Sequence, residues 1–294
     1  MKVLVAGLTG FVGGQLLPAL QAAGHQVVGL SRNPDGHALG VPVLRRDVAA
    51  GDDLQPAFDG VDVAYYLVHS FQQQNQEGFA TRDRRAAQLF GRAAQRAKVK
   101  RIVYCGVSPA DHSTTPTAHR QSRNEVGSIL MAAVPDSVLV RTWTILSPMN
   151  QFIRFLLYLL RTRRFVALPP SARFRSQPID GRDLALALAA VASTPELGGQ
   201  TLDVVGPTAI STAELCVGLS EKLGLERRIV RLPFKPPNLL LASLIRAARL
   251  DATLVMAGLK SAEAGDVLPA QNFLKQLVPS HHSLDASLVH AVQI

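Results

Sequence analysis

The chain opens with Met1-Lys2-Val3-Leu4-Val5-Ala6-Gly7-Leu8-Thr9-Gly10-Phe11-Val12-Gly13, a short apolar run that passes directly into three glycines spaced Gly-x-x-Gly-x-x-Gly. The run 2–6 reads as a strand and 13–23 as a helix, so the glycines sit in a strand-to-helix turn. Each glycine has a physical use there. The first allows a positive φ at the turn, a missing side chain lets an anion approach the backbone, and the helix start offers unpaired N–H donors. Isolated glycines make ordinary tight turns, but this position between a strand and a helix points to a pyrophosphate cradle. Gly7, Thr9, Gly10, Phe11, Val12 and Gly13 are its expected residues.

Outward from this turn, apolar strand-like runs alternate with helical patterns. Strands are expected over 26–30, 41–45, 61–68, 102–106 and 137–142. Helices are expected over 54–58, from Phe79 to Ala97, and over 124–133. The 61–68 run carries one charge, at Asp62, and none from Val63 onward, as suits a strand covered on both faces. This order predicts an α/β fold, a Rossmann-type doubly wound parallel sheet with a smaller C-terminal substrate lobe. Residues 1–149 form the expected cofactor-binding domain, to which 176–195 returns. Residues 150–175 and 196–294 form the expected lobe, with helices over 150–161 and 211–223, the latter opening on the capping pair Ser211 and Glu214, and strands over 200–205 and 228–232.

Composition narrows the class. With 294 residues, 47% of them apolar, the chain can fill a large core. Two cysteines are too few for a disulfide framework, no signal-peptide pattern precedes the first strand, and basic residues interrupt every long apolar stretch, so a cytoplasmic protein without a transmembrane segment is expected. The formal charge of +9 comes from basic residues gathered loosely at 82–101, 154–175 and 227–235. No aromatic-interleaved pattern accompanies them, and nucleic acid is not an expected partner.

The end of the second strand reads Leu30-Ser31-Arg32-Asn33, without the acid that holds an adenosine ribose in NAD-preferring sites. Arg32 can pair with a 2′-phosphate and Ser31 can donate to it, which predicts NADP as cofactor. Asp47 and Val48 are placed to touch the adenine, and Leu67, Val68 and His69 to pass beside the middle of the cofactor.

With these residues, and with Asp62-Val63-Ala64-Tyr65-Tyr66-Leu67-Val68-His69-Ser70, Arg82-Asp83-Arg84-Arg85-Ala86-Ala87, Arg101-Ile102-Val103-Tyr104 and Ser122-Arg123-Asn124-Glu125-Val126-Gly127, the chain resembles the atypical short-chain dehydrogenase/reductases, the group that includes NmrA-like and complex I subunit-like proteins. The resemblance covers most of residues 1–235 and implies an NADP-binding domain with a variable substrate lobe. Active members of the wider superfamily use a Tyr-x-x-x-Lys pair, in which lysine lowers the tyrosine's pKa. The corresponding helix here reads His119-Arg120-Gln121-Ser122-Arg123, with histidine in place of tyrosine and Arg123 in place of lysine.

His119, Arg123, Ser108 and His69 are therefore the candidate catalytic residues, with Tyr66 a further candidate that reads more simply as a buried strand aromatic. Cys105 reads as a small buried hydrophobe, and His281-His282 as solvated surface without a third metal ligand. The segment 152–161, apolar with basic ends, can roof a substrate pocket, pack the lobe or lie on a membrane. The expected function is NADPH-dependent reduction of a small or medium apolar carbonyl or unsaturated substrate by a monomer or homodimer. The alternative is a non-catalytic NADP-binding regulatory or assembly protein, and a nucleotide-sugar epimerase is disfavoured by the missing tyrosine.

Overall fold

Strands buried on both faces need no polar alternation, and the first half of the chain supplies several. The computed structural model describes residues 1–33, 39–68, 76–107, 117–264 and 268–293. β1 (Lys2–Ala6) leads through α1 (Phe11–Ala22) to β2 (Gln26–Ser31), β3 (Val43–Arg45) and β4 (Val63–Tyr66). Next come α2 (Gln76–Arg96), β5 (Arg101–Val107), α3 (Ala118–Ala133) and β6 (Val138–Thr142). After the short β7 (Ile145–Leu146) follow α4 (Gln151–Thr162), β8 (Phe165–Leu168), β9 (Arg175–Ser176), β10 (Ile179–Asp180) and α5 (Gly181–Ala192). The remainder holds β11 (Thr201–Asp203), β12 (Ile210–Ser211), α6 (Thr212–Lys222), β13 (Arg228–Arg231), α7 (Asn238–Ala247), α8 (Ala252–Ala264), α9 (Leu274–Leu277) and α10 (Leu284–Ala291).

Seven strands form one sheet in the order β3-β2-β1-β4-β5-β6-β11, every neighbouring pair parallel. The order reverses between β1 and β4, and in such sheets ligands bind beyond the carboxyl ends of the strands at that reversal. Alternate residues serve opposite faces. Val3, Val5 and Tyr65 pack with Leu16, Leu20 and Leu188 from α1 and α5, whereas Leu4, Ala6 and Tyr66 pack with Phe90 and Leu130 from α2 and α3. The expected doubly wound sheet is thus present.

Three details differ from the sequence reading. The strand expected over 200–205 belongs to the main sheet: β11 pairs with β6, and Arg141 and Asp203 join the two strands through two hydrogen bonds of 2.7 Å. Its period resembles that of a lobe strand, and only the pairing decides its sheet. Arg101, counted among the surface cations, is buried and donates to the carbonyls of Val191, Thr194 and Pro195 at the end of α5. His282, read as solvated, donates its backbone N–H to Asp183 Oδ2 (2.8 Å) and places Nδ1 2.6 Å from Asp183 Oδ1, which fastens the tail to α5. A buried carboxylate needs such partners, and sequence spacing does not reveal which distant residue supplies them.

The lobe has its own core, built from α4, α6, α8, α10 and β8. Seven of the twelve α4 residues are buried in it, including Phe152, Phe155, Leu156 and Leu160. That helix therefore packs the lobe rather than lying on a membrane. No helix among the described residues is long and apolar enough to cross a membrane.

Candidate active site

The turn after β1 is shaped by close approaches of backbone. Gly7 has φ +87°, and a Cβ there would stand 3.1 Å from the carbonyl carbon and oxygen of Leu67. Its N–H donates to the Leu30 carbonyl (2.9 Å), which ties the turn to β2. Gly10 is the N-cap of α1 and has no side chain to occupy the helix start, while its N–H donates to the Gly7 carbonyl (2.9 Å). A Cβ on Gly13 would lie 2.4 Å from the Gly7 carbonyl oxygen, so only glycine lets α1 start this close to β1. Phe11 and Val12 are half-buried on the first turn. The result is a helix N-terminus at the sheet's reversal point with no side chain blocking it, a shape and polarity suited to a pyrophosphate.

At the adenosine end, Thr9 Oγ1 and Ser31 Oγ lie 2.9 Å apart, and Ser31 Oγ also accepts the N–H of Asn33 (3.3 Å). Ser31 is thus engaged inside the turn, whereas Arg32 is exposed and pairs with no described residue. Asp47 is committed internally, its carboxylate accepting from Arg82 (2.7 Å) and from the Ala49 N–H (2.9 Å). Val48 beside it is buried. Leu67 and Val68 stand half-buried at the end of β4, where the Leu67 N–H donates to the Ala6 carbonyl (2.9 Å). His69 and Ser108 lie outside the described residues.

The helix that carries the substituted pair is α3. Its N-cap Thr117 accepts the N–H of Arg120, and His119 sits half-buried in the first turn. Arg123 lies one turn on and is buried. Its guanidinium donates to the carbonyls of Cys105 (2.6 Å) and Val68 (3.3 Å) and lies 4.8 Å from the centre of the Tyr104 ring. The Tyr104 hydroxyl in turn donates to the Arg123 carbonyl (3.0 Å). Arg123 therefore binds the carboxyl ends of β4 and β5 together, a fixed five-donor fork used on backbone. Tyr66 is buried in an edge-to-face contact with Phe90, as its reading as a strand aromatic implies. Burial, and secondarily the nearby Asp83, pushes its hydroxyl pKa far above the ordinary value. Burial likewise pushes the Cys105 thiol up to about 11, against the pull of Arg123.

Four buried polar atoms find no hydrogen-bond partner among the described residues: Tyr66 Oη, Thr142 Oγ1, Trp143 Nε1 and Gln15 Oε1. Buried polar atoms are ordinarily paired, so these four mark where the fold leaves hydrogen-bonding capacity unused. The sequence reading passed over Gln15, Thr142 and Trp143. Their signal was a polar residue ending a buried strand and a glutamine one turn into the cradle helix. A shallow recess of about 10 Å³, room for about one water, lies in the lobe between Thr144, Phe152, Phe174, Arg175, Ile210 and Leu215. Phe152 is the part of α4 that reaches this recess, so the helix is mainly core and contributes one wall residue. Among the described residues no cluster of metal-ligating side chains occurs.

Comparison with known proteins agrees with this geometry. No curated protein sequence matches the chain at a significant level. Among solved structures, the triphenylmethane reductase of Citrobacter sp. in complex with NADP(H) is similar over 99% of this chain and 100% of its own, with 21% identity and a TM-score of 0.77. A nucleoside-diphosphate-sugar epimerase from Staphylococcus aureus is similar over 98% of this chain and 100% of its own, with 21% identity and a TM-score of 0.73. The UDP-glucose 4-epimerase of Thermotoga maritima follows over 99% and 97%, with 12% identity and a TM-score of 0.76. At these identities the likeness is one of fold. The profile of the NAD(P)H-binding family matches residues 7–195, from the first glycine of the cradle to the end of α5 and just beyond. The chain belongs to this NAD(P)H-binding family.

Proposed function

We propose that the protein is an NADPH-dependent reductase of a small or medium apolar carbonyl or unsaturated compound. The observation that carries the choice of NADPH is Arg32, exposed at the end of β2 beside the glycine cradle and paired with no described residue, where no acidic residue among those described stands to hold a ribose hydroxyl. When bound, such a cofactor supplies the hydride. The chain's own residues do the rest. The N–H groups at the start of α1 hold the pyrophosphate, and Arg32 pairs with the 2′-phosphate. Arg123 acts as a positioning residue, fixing the ends of β4 and β5, rather than as a ribose ligand. His119, in the first turn of α3, delivers a proton to the substrate oxygen or carbon. Cytoplasmic action as a monomer or homodimer is consistent with this reading.

A non-catalytic, NADP-sensing role is the second reading, and the binding of Arg123 to backbone where the superfamily's lysine would act favours it. One set of measurements separates the two. Titration with NADPH and NADH by calorimetry should give tighter NADPH binding, weakened about tenfold or more by Arg32→Ala, the loss of one charge-assisted contact. A carbonyl and enone panel should then reveal NADPH oxidation that His119→Ala lowers by roughly 10²-fold or more. Selective binding without turnover of any substrate would leave the sensing role, and no binding of either nucleotide would refute both.

A further inference from the structure

The lobe carries apolar side chains that its core does not use. Between 226 and 249 stand Arg227, Arg228, Arg231, Lys235, Arg246 and Arg249 against a single acid, Glu226. In the same stretch Leu239 is 83% exposed, Phe234 60% and Leu240 50%. Helix α7 buries only Ile245, with Leu241 and Leu244 half-buried beside it. Its outer side runs from Leu239 to Arg246, seven residues on and so nearly in line along the helix. β13 adds to this character. In its parallel register with β8, Arg228 and Val230 share the outer side with Phe165, which is 63% exposed, opposite the buried Val166 and Leu168.

Isolated exposed leucines are common, but an outward apolar helix start within an almost purely basic segment is not explained by the fold. Lys235 pairs with Glu263 (3.0 Å) and Arg227 donates to the Leu160 carbonyl (2.7 Å). Arg228, Arg246 and Arg249 are exposed and form no ion pair with a described residue, whereas Arg231 is paired in register with Leu168 on the other side of β13. We infer that this face docks on an anionic lipid surface, with Leu239 and Leu240 entering the headgroup boundary and Arg228, Arg246 and Arg249 meeting lipid phosphates. Charge complementarity selects this occupant. A second copy of the chain on the same face would set these arginines against one another. A short amphipathic helix with basic residues at one end suits the plane of a membrane interface, and the contact is peripheral because no described helix spans a bilayer. The inference stands independently of the reductase reading.

Flotation of the full chain with phosphatidylcholine vesicles, with and without an equal part of phosphatidylglycerol, tests it. The protein should float with the anionic vesicles and not with the neutral ones, and less so as salt rises. The double variants Leu239→Glu/Leu240→Glu and Arg246→Glu/Arg249→Glu should each lower binding about tenfold or more, while thermal midpoint and nucleotide binding stay at wild-type values. Failure to float with anionic vesicles would overturn the inference, as would undiminished binding of both variants. A concentration-dependent dimer in sedimentation that the leucine variant dissolves would also overturn it, by assigning the face to a second copy.

Discussion

Adding a single methyl group at Gly13 should separate α1 from the sheet, and the same change one residue later should not. A Cβ on Gly13 would meet the Gly7 carbonyl oxygen at 2.4 Å and the Cα and carbonyl oxygen of Leu8 at 2.7 Å each. All three are backbone atoms of the turn, so no side-chain rotation relieves the clash. Helix α1 must withdraw by roughly 1 Å to restore ordinary contact distances, and it carries Leu16, Leu17 and Leu20 out of their packing on the sheet. Such overpacking costs about 1–3 kcal/mol, set against about 0.5–1 kcal/mol gained by replacing glycine within a helix. A net loss near 1 kcal/mol lowers the thermal midpoint by about 2–4 °C. Gly14 is exposed, and a Cβ there meets nothing within 4 Å. Gly14→Ala keeps only the helix gain and should raise the midpoint by about 1–3 °C. Displacing the helix start also moves the donors that face the phosphates, so Gly13→Ala should weaken NADPH binding about tenfold, a change of 1.4 kcal/mol. Urea and thermal unfolding of both variants, with and without NADPH, read all of this. The reasoning fails if Gly13→Ala unfolds at or above the wild-type midpoint, or if the two variants shift alike.

Arg101→Met should lose about 3 kcal/mol of stability in urea unfolding, because the carbonyls of Val191, Thr194 and Pro195 at the end of α5 lose a charged donor together; a loss under about 1 kcal/mol would show that water replaces it. Asp180, the buried N-cap of α5, is pushed up by burial, but its bonds to Arg182, aided by the field of His282, hold its pKa below the ordinary 3.8. A depressed folded-state pKa means that the charged form's stabilisation is complete above 3.8 and disappears as pH falls through the folded value. Asp180→Asn should thus be about 1 kcal/mol less stable than wild type at neutral pH, discounted for the partly exposed Arg182, and the difference should close in acid. A gap that is independent of pH would show that capping geometry, not charge, is what Asp180 contributes.

Much of this architecture is local and therefore legible along the chain. The glycine spacing places the cradle because the conformation at Gly7 and the approach at Gly13 depend on residues a few positions apart. The uncharged run from Val63 to Tyr66 identifies a buried parallel strand by itself. Helix α3 starts at Ala118, earlier than the periodicity of 124–133 suggests, because Thr117 caps a first turn whose polar residues carry no apolar signal. Other features depend on partners far away in sequence. Whether β11 joins the main sheet, whether Arg101 is solvated or buried, and whether His282 faces water were decided by Leu139, Val191 and Asp183, residues 62 to 99 positions distant. The surroundings of Arg123 are of the same kind: its sequence position places it where the superfamily's lysine stands, and the ends of β4 and β5 present two carbonyls to it. Sequence alone determines what a residue can do within its own turn or strand. Which of several equally available partners a long charged side chain satisfies is decided only when the strands and helices close around it, because burial forces every charge and carbonyl to find one.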